Sequence, residues 1–114
     1  MTIVPEILKK LHDVAMSAAV SAATAMDTSM PPENMRGFDC GFAWVNAPKA
    51  NLRTHVGKEL MALGFKKSWE RGLYLWNPAG LLTQSIDVAS AGAAAYADVM
   101  RQSGLVFTVG SRLD

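Results

Sequence analysis

Residues that recognise planar, anionic ligands are concentrated in the middle of the chain. Between residues 49 and 71 there are six basic and two acidic residues, so this segment carries +4 while the remainder carries −3. The flat fork of arginine suits phosphate, and aromatic faces suit nucleobases. We therefore predict a ligand- or partner-binding site where the basic segment meets neighbouring aromatic residues. Its predicted members are Arg53, Lys66, Lys67, Arg71, Tyr74 and Trp76, with Arg112 as an outlying one.

The same residue types also have a purely structural interpretation. Basic residues usually form a solvated face, and tryptophans usually fill a core. Tryptophan, tyrosine and arginine are, in addition, the side chains that dominate hot spots between proteins. The composition therefore leaves the ligand open between a phosphorylated small molecule and an acidic partner protein.

Sequence motifs of catalysis and metal binding are absent. The chain has no Gly-Lys-Ser or Gly-Lys-Thr, no Gly-x-Ser-x-Gly, no Cys-x-x-Cys and no His-Glu-x-x-His. Its one cysteine, Cys40, and its two histidines, His12 and His55, lie far apart in sequence. We therefore expect a protein that is not an enzyme and that needs no metal and no cofactor. Because a lone cysteine forms no intrachain disulfide, we expect a reducing compartment and a structural role for Cys40.

Length and composition predict one globular domain over residues 1–114. Half of the residues are hydrophobic and 18% are charged, and the net charge is only +1. This charge argues against a nucleic-acid polycation. No run reaches the ~18 apolar residues that a membrane span needs. A signal peptide is not expected, because His12 and Asp13 interrupt the apolar part of the N-terminal segment.

The elements that must position the site follow from periodicity and turn residues. Residues 3–26 predict a helix with an apolar stripe that includes Ile7, Leu11 and Val14, and residues 27–37 predict a linker. The strand 38–46 should place Phe42 and Trp44 on one side and small residues, which a helix can approach closely, on the other. The remaining predicted elements are a helix at 49–63, a hairpin at 65–77 with its turn near Gly72, a helix at 87–103 and a strand at 105–109.

This order of elements predicts an α+β fold. The N-terminal helix is followed, over residues 38–114, by a ferredoxin-like β-α-β-β-α-β plait with one antiparallel sheet. Two helices of such a plait cover only one face of the sheet. The other face carries large apolar groups, which the N-terminal helix, a second copy of the chain or a ligand would cover. We therefore expect a homo-oligomer.

Several short stretches carry a resemblance to a known group of proteins. They are Cys-Gly-Phe-Ala-Trp-Val at 40–45, Trp-Asn-Pro-Ala-Gly at 76–80, Gly92 before an Ala-Tyr-Ala run, and Ser-Arg-Leu-Asp at 111–114. These stretches resemble small accessory proteins of tailed bacteriophages over about residues 38–114. The resemblance implies a phage protein that acts in the cytoplasm of a bacterial host. It implies binding and disabling of a host component, such as an immune effector or its nucleotide signal, and it assigns no catalytic residue.

Two functions follow as hypotheses. The first is a non-catalytic, phage-encoded binding protein that sequesters a host protein or a phosphorylated small ligand. The alternative is a single-stranded RNA-binding plait, in which Phe42 or Trp44 and Tyr74 or Trp76 stack on bases. The near-neutral charge and the absence of a Lys/Arg-Gly-Phe-Gly-Phe type signature count against RNA.

Overall fold

The computed structural model describes residues 5–29, 41–68, 71–80 and 85–113, which form one antiparallel sheet and three helices. The helices are α1 (Pro5–Ser29), α2 (His55–Ala62) and α3 (Ile86–Met100), and the strands are β1 (Gly41–Ala47), β2 (Lys66–Lys67), β3 (Leu73–Trp76) and β4 (Thr108–Leu113). The strands lie in the order β2-β3-β1-β4, and each neighbouring pair is antiparallel. The prediction of an α+β fold with an N-terminal helix and one antiparallel sheet is confirmed.

The central strand β1 has one face of small side chains and one of large ones. Ala43 and Val45 are buried on the face that α3 covers, whereas Phe42 and Trp44 on the other face are half-buried. A Cβ added to Gly41 would lie 2.9 Å from Cδ1 of Ile86. This close approach confirms that a helix packs on the small face of the strand.

Helices α1 and α3 pack through small residues. Ala15, Ala19 and Ala23 are fully buried, and a Cβ added to Gly92 would lie 3.5 Å from that of Ala23 and 2.8 Å from that of Ala79. The alanine stripe of α1 therefore lets the two backbones come close.

The apolar stripe predicted for the N-terminal helix is wrong in part. Ile7 and Val14 are 51% and 57% exposed, whereas Leu8 and Ala15, one position along, are buried. The alanine stripe is buried in place of the predicted one because its small side chains fit against the small face of α3. The predicted linker also begins too early, since α1 continues to Ser29.

Helix α2 begins at His55, six residues later than predicted. Thr54 caps it: its hydroxyl donates to the Asn51 carbonyl oxygen (2.8 Å) and accepts from the Gly57 N–H (3.1 Å). The Asn51 side chain in turn accepts from the Arg53 N–H at 2.9 Å. A Cβ at Gly57 would overlap the Asn51 carbonyl oxygen, so the capping turn explains the glycine.

The last strand also differs from its prediction, because β4 runs over Thr108–Leu113 and not over 105–109. Phe107 is buried against Phe65, with ring centroids 6.2 Å apart, so residues 105–107 connect α3 to the sheet through the core. Gly104 (φ +87°) ends the helical segment, and Gly72 (φ +69°) lies in the hairpin turn, as predicted. The predictions for residues 30–40, including Cys40, lie outside the described residues.

Candidate ligand-binding face

The face of the sheet turned away from α3, here called the open face, collects the aromatic side chains of the two central strands. Trp44 of β1 lies directly opposite Trp76 of β3, and Asn46 lies opposite Tyr74. Since side chains alternate along a strand, these four residues and Phe42 point to the same side of the sheet. Antiparallel pairing of β1 with β3 thus assembles an aromatic surface.

The rings of this surface contact one another. The Trp44 and Trp76 rings are stacked, with centroids 5.6 Å apart and planes 5° apart. The Phe42 ring lies 5.3 Å from Trp76, and the guanidinium carbon of Arg112 lies 5.8 Å from the centre of the Phe42 ring. Trp76 remains 49% exposed. The result is a continuous aromatic platform with one accessible indole, edged by a cation.

Gly110 provides the room for this arrangement. It is the β4 partner of Trp44, and a Cβ placed on it would overlap the Trp44 indole. Glycine weakens a strand unless its missing side chain is used, and here the indole occupies that space. The glycine thus lets Trp44 lie over the neighbouring strand.

The electrostatic character of the open face is positive. Lys66 is paired with Tyr74 and Arg112 with Phe42, so one cation lies on each flank of the platform. The four described strands contain no Asp or Glu. Within the described part of the chain, neither Lys66 nor Arg112 forms an ion pair. Both cations are therefore available to an anion.

Arg71 lies beside one end of the open face. With Pro48 and Ser68 it lines a cleft of about 470 Å³, and this cleft also includes Asn46 and Thr108. Asn46 and Thr108 are register partners on β1 and β4. A ligand on the platform that extends toward this end reaches Arg71.

The other predicted site residues lie elsewhere. Lys67 is paired with Leu73, which is buried beneath the helices, so Lys67 alternates away from the open face. Arg53 precedes α2 and lines a different cleft with Ala47 and Leu60. Five predicted members therefore share one surface, and two do not. The five are Lys66, Arg71, Tyr74, Trp76 and Arg112.

The predicted site list lacks Phe42, Trp44 and Gly110. Alternation along 38–46 already puts Phe42 and Trp44 on one face, but only the RNA hypothesis names them as stacking platforms. No local signal identifies Gly110, because its role depends on the register between β1 and β4.

Neither a metal site nor a similarity to known proteins assigns a function to this surface. Over residues 5–29, 41–68, 71–80 and 85–113, no three His, Cys, Asp or Glu side chains come together as a metal site. In the same ranges no helix combines the length and apolar character of a membrane span. No family model, curated protein or solved structure matches the chain.

Proposed function

We propose that this protein is a non-catalytic binding protein that holds a planar, anionic ligand of the nucleotide type on its open face. The observation that carries the proposal is the stacked pair of Trp44 and Trp76, exposed at Trp76 and flanked by Lys66 and Arg112. A nucleobase would stack on Trp76, and its phosphate would bind the flanking cations.

The expected contributions are large enough to give measurable affinity. Stacking of one base on an aromatic side chain contributes ~1–3 kcal/mol. A charge-assisted hydrogen bond contributes ~1.5–3 kcal/mol. Arg112 lies opposite Phe42, and Arg71 lines a cleft with Asn46, so the two arginines lie near different ends of β1. A ligand that uses both would be longer than one nucleotide.

A variant of the ferredoxin-like plait is the proposed fold family. The chain order of β1 to β4 with α2 and α3 supports it. Two features distinguish this chain: α2 has only eight residues, and α1 packs along α3 as an added helix.

The proposed biological setting is a bacterial cell infected by a phage. It is supported by the resemblance of residues 40–45, 76–80 and 111–114 to phage accessory proteins. In that setting the protein would sequester a host component. It would act as an anti-defence protein that binds an immune effector or its nucleotide signal. The exposed Trp76 and the nearby arginines are also the residue types of a hot spot for a host protein.

The test is a titration of adenosine monophosphate and of a short single-stranded oligouridylate, followed by tryptophan fluorescence. We expect saturable binding that Trp76→Leu and Arg112→Gln each weaken by about tenfold, equivalent to ~1.4 kcal/mol. Lys58→Gln is the matched control, because Lys58 is an exposed cation on α2. Thermal melts establish that each variant is folded. Absence of binding by either ligand at low salt contradicts the nucleotide proposal and leaves a host protein as the ligand.

Single-stranded RNA binding is the second candidate. It is favoured by aromatic side chains on both central strands, which is where RNA-binding plaits stack bases. RNA binding predicts affinity that increases with oligonucleotide length and falls steeply with salt. A nucleotide site predicts affinity that stops increasing with length once the ligand reaches both Arg112 and Arg71.

A further inference from the structure

A second cleft lies on the helix side of the sheet, between the start of α2 and the segment that follows α3. Its volume is about 480 Å³, within the ~300–1,000 Å³ of small-molecule sites. Ala47 at its base is buried on the side of the sheet opposite Asn46. This cleft, here called the α2 cleft, is therefore separate from the open face.

The rim of the α2 cleft is cationic. Lys49, Arg53 and His55 line it, together with Thr54, and its lining includes no Asp or Glu. Among the described residues, no carboxylate pairs with Lys49, Arg53 or His55. Lys49 and Arg53, two cations without counter-charges, favour an anionic group at the rim.

The floor of the α2 cleft is apolar. Leu60 and Ala47 are buried there, and Val56 and Leu105 pack against the core. Val106 closes one side and is 43% exposed. A bare phosphate would leave this apolar surface in contact with water, whereas an alkyl chain or ring would cover it.

We propose that the α2 cleft is a binding site for a small amphipathic anion, a carboxylate or phosphate ester with an apolar body. The charged head would contact Arg53 and Lys49, and the apolar body would lie on Leu60 and Val106. This site does not depend on nucleotide binding at the open face, since the two lie on opposite sides of the sheet.

The test is a two-dimensional amide NMR titration with three probes of equal chain length: octanoate, octanol and octylammonium. We expect octanoate to shift amides of residues 49–56 and 105–107 and to leave the Trp44 and Trp76 indole signals unchanged. Octanol should bind several-fold more weakly than octanoate, and octylammonium more weakly still. Equal affinity for the three probes, or shifts confined to the open face, would overturn the proposal.

Two substitutions separate the charged and apolar parts of the site. Arg53→Gln should weaken the binding of octanoate by fivefold or more without affecting the binding of octanol. Val106→Trp should fill the cleft and weaken the binding of both octanoate and octanol. Because Val106 is exposed, the fold can accept the larger ring. Lys58 lies on α2 but does not line the cleft, so Lys58→Gln should change neither the octanoate affinity nor the octanol affinity. If Arg53→Gln and Val106→Trp both bind octanoate like the parent protein, the site does not exist.

Discussion

The hydroxyl oxygen of Tyr96 lies 2.8 Å from Nδ1 of His12 and joins α3 to α1. The two rings meet edge to face, with centroids 5.7 Å apart, and Tyr96 is fully buried. Burial raises the pKa of the Tyr96 hydroxyl. Burial also lowers the pKa of His12, and outweighs the opposite effect of Asp13. At neutral pH the imidazole and the hydroxyl are therefore both uncharged, and the tautomer of His12 decides which of them donates the hydrogen bond.

Removal of the hydroxyl should destabilise the packing of α1 on α3. Tyr96→Phe leaves Nδ1 of His12 half-buried without its partner, and we expect a loss of ~1–3 kcal/mol in the free energy of unfolding. Urea denaturation measures it, with Tyr74→Phe on the half-exposed β3 as control. Adding His12→Leu to Tyr96→Phe should recover part of the loss, because neither polar group then remains. An unchanged midpoint in Tyr96→Phe would show that the bond contributes nothing.

Stability should decrease at both ends of the pH range, for opposite reasons. His12 binds its proton at a lower pH when folded than its ordinary 6.5, so stability is lost as pH falls below about 6.5. The pKa of Tyr96 lies above its ordinary 10.0 when folded, so stability is lost as pH rises beyond about 10. Urea denaturation across pH measures both effects. His12→Gln should remove the part of the acid dependence that begins near pH 6.5, and an unchanged profile would contradict the assignment.

The sequence predicts the parts of this fold that depend on local patterns. Alternation of side-chain size gives the two faces of β1, and Gly72 and Gly104 mark turns that the structure confirms. The start of α2 is not predictable in the same way. Its apolar spacing extends back to Leu52, but the hydrogen bonds from Thr54 to Asn51 hold the preceding residues in a turn.

The site depends on pairing, which sequence patterns do not encode. Trp76 meets Trp44 only because the pairing of β1 with β3 places the two residues in register. Similarly, Arg112 joins the platform because β4 extends to Leu113, three residues beyond Gly110 and well past the predicted end of the strand. Arg53 and Arg71 both belong to the basic segment, but the sheet lies between their clefts.

The close packing of α1 on α3 should be sensitive to the size of residue 92. Gly92→Val places atoms where Ala79 and the Ala19 carbonyl oxygen already lie, and overpacking of this kind costs ~1–3 kcal/mol. Ala94→Val is the control, since Ala94 is exposed on the same helix. Valine is a poorer helix former than alanine but a slightly better one than glycine, so helix propensity alone would favour Gly92→Val. We expect a lower thermal midpoint for Gly92→Val than for Ala94→Val. Equal midpoints would show that the helices adjust without cost.

Self-association stays a prediction from the apolar open face. We expect light scattering to give a multiple of 12.2 kDa at micromolar concentration. If Trp76 lies in the interface, Trp76→Lys should lower the mass toward that of one chain. Ile7→Lys serves as comparison, because Ile7 is an exposed apolar residue on α1, away from the sheet. A single-chain mass for the parent protein at high concentration would contradict the prediction.

Substitution of Gly110 tests the platform without removing any aromatic side chain. In Gly110→Ala the added Cβ would overlap the Trp44 indole, so the ring must move off β4 and its stacking on Trp76 should be lost. Alanine is otherwise the better strand residue, so the fold should be retained. We expect loss of the exciton signal of the two indoles in circular dichroism and about tenfold weaker nucleotide binding, or ~1.4 kcal/mol.

Ser111→Ala is the matched control for Gly110→Ala, because Ser111 is the next residue of β4 and faces the other side of the sheet. It should keep both the exciton signal and the affinity. If Gly110→Ala loses the exciton signal but binds the nucleotide normally, the stacked pair is a structural feature and the ligand lies elsewhere. If Gly110→Ala keeps the exciton signal, the position of the Trp44 indole does not depend on the space above Gly110. Loss of both in Gly110→Ala alone would tie the geometry of the indole pair directly to binding.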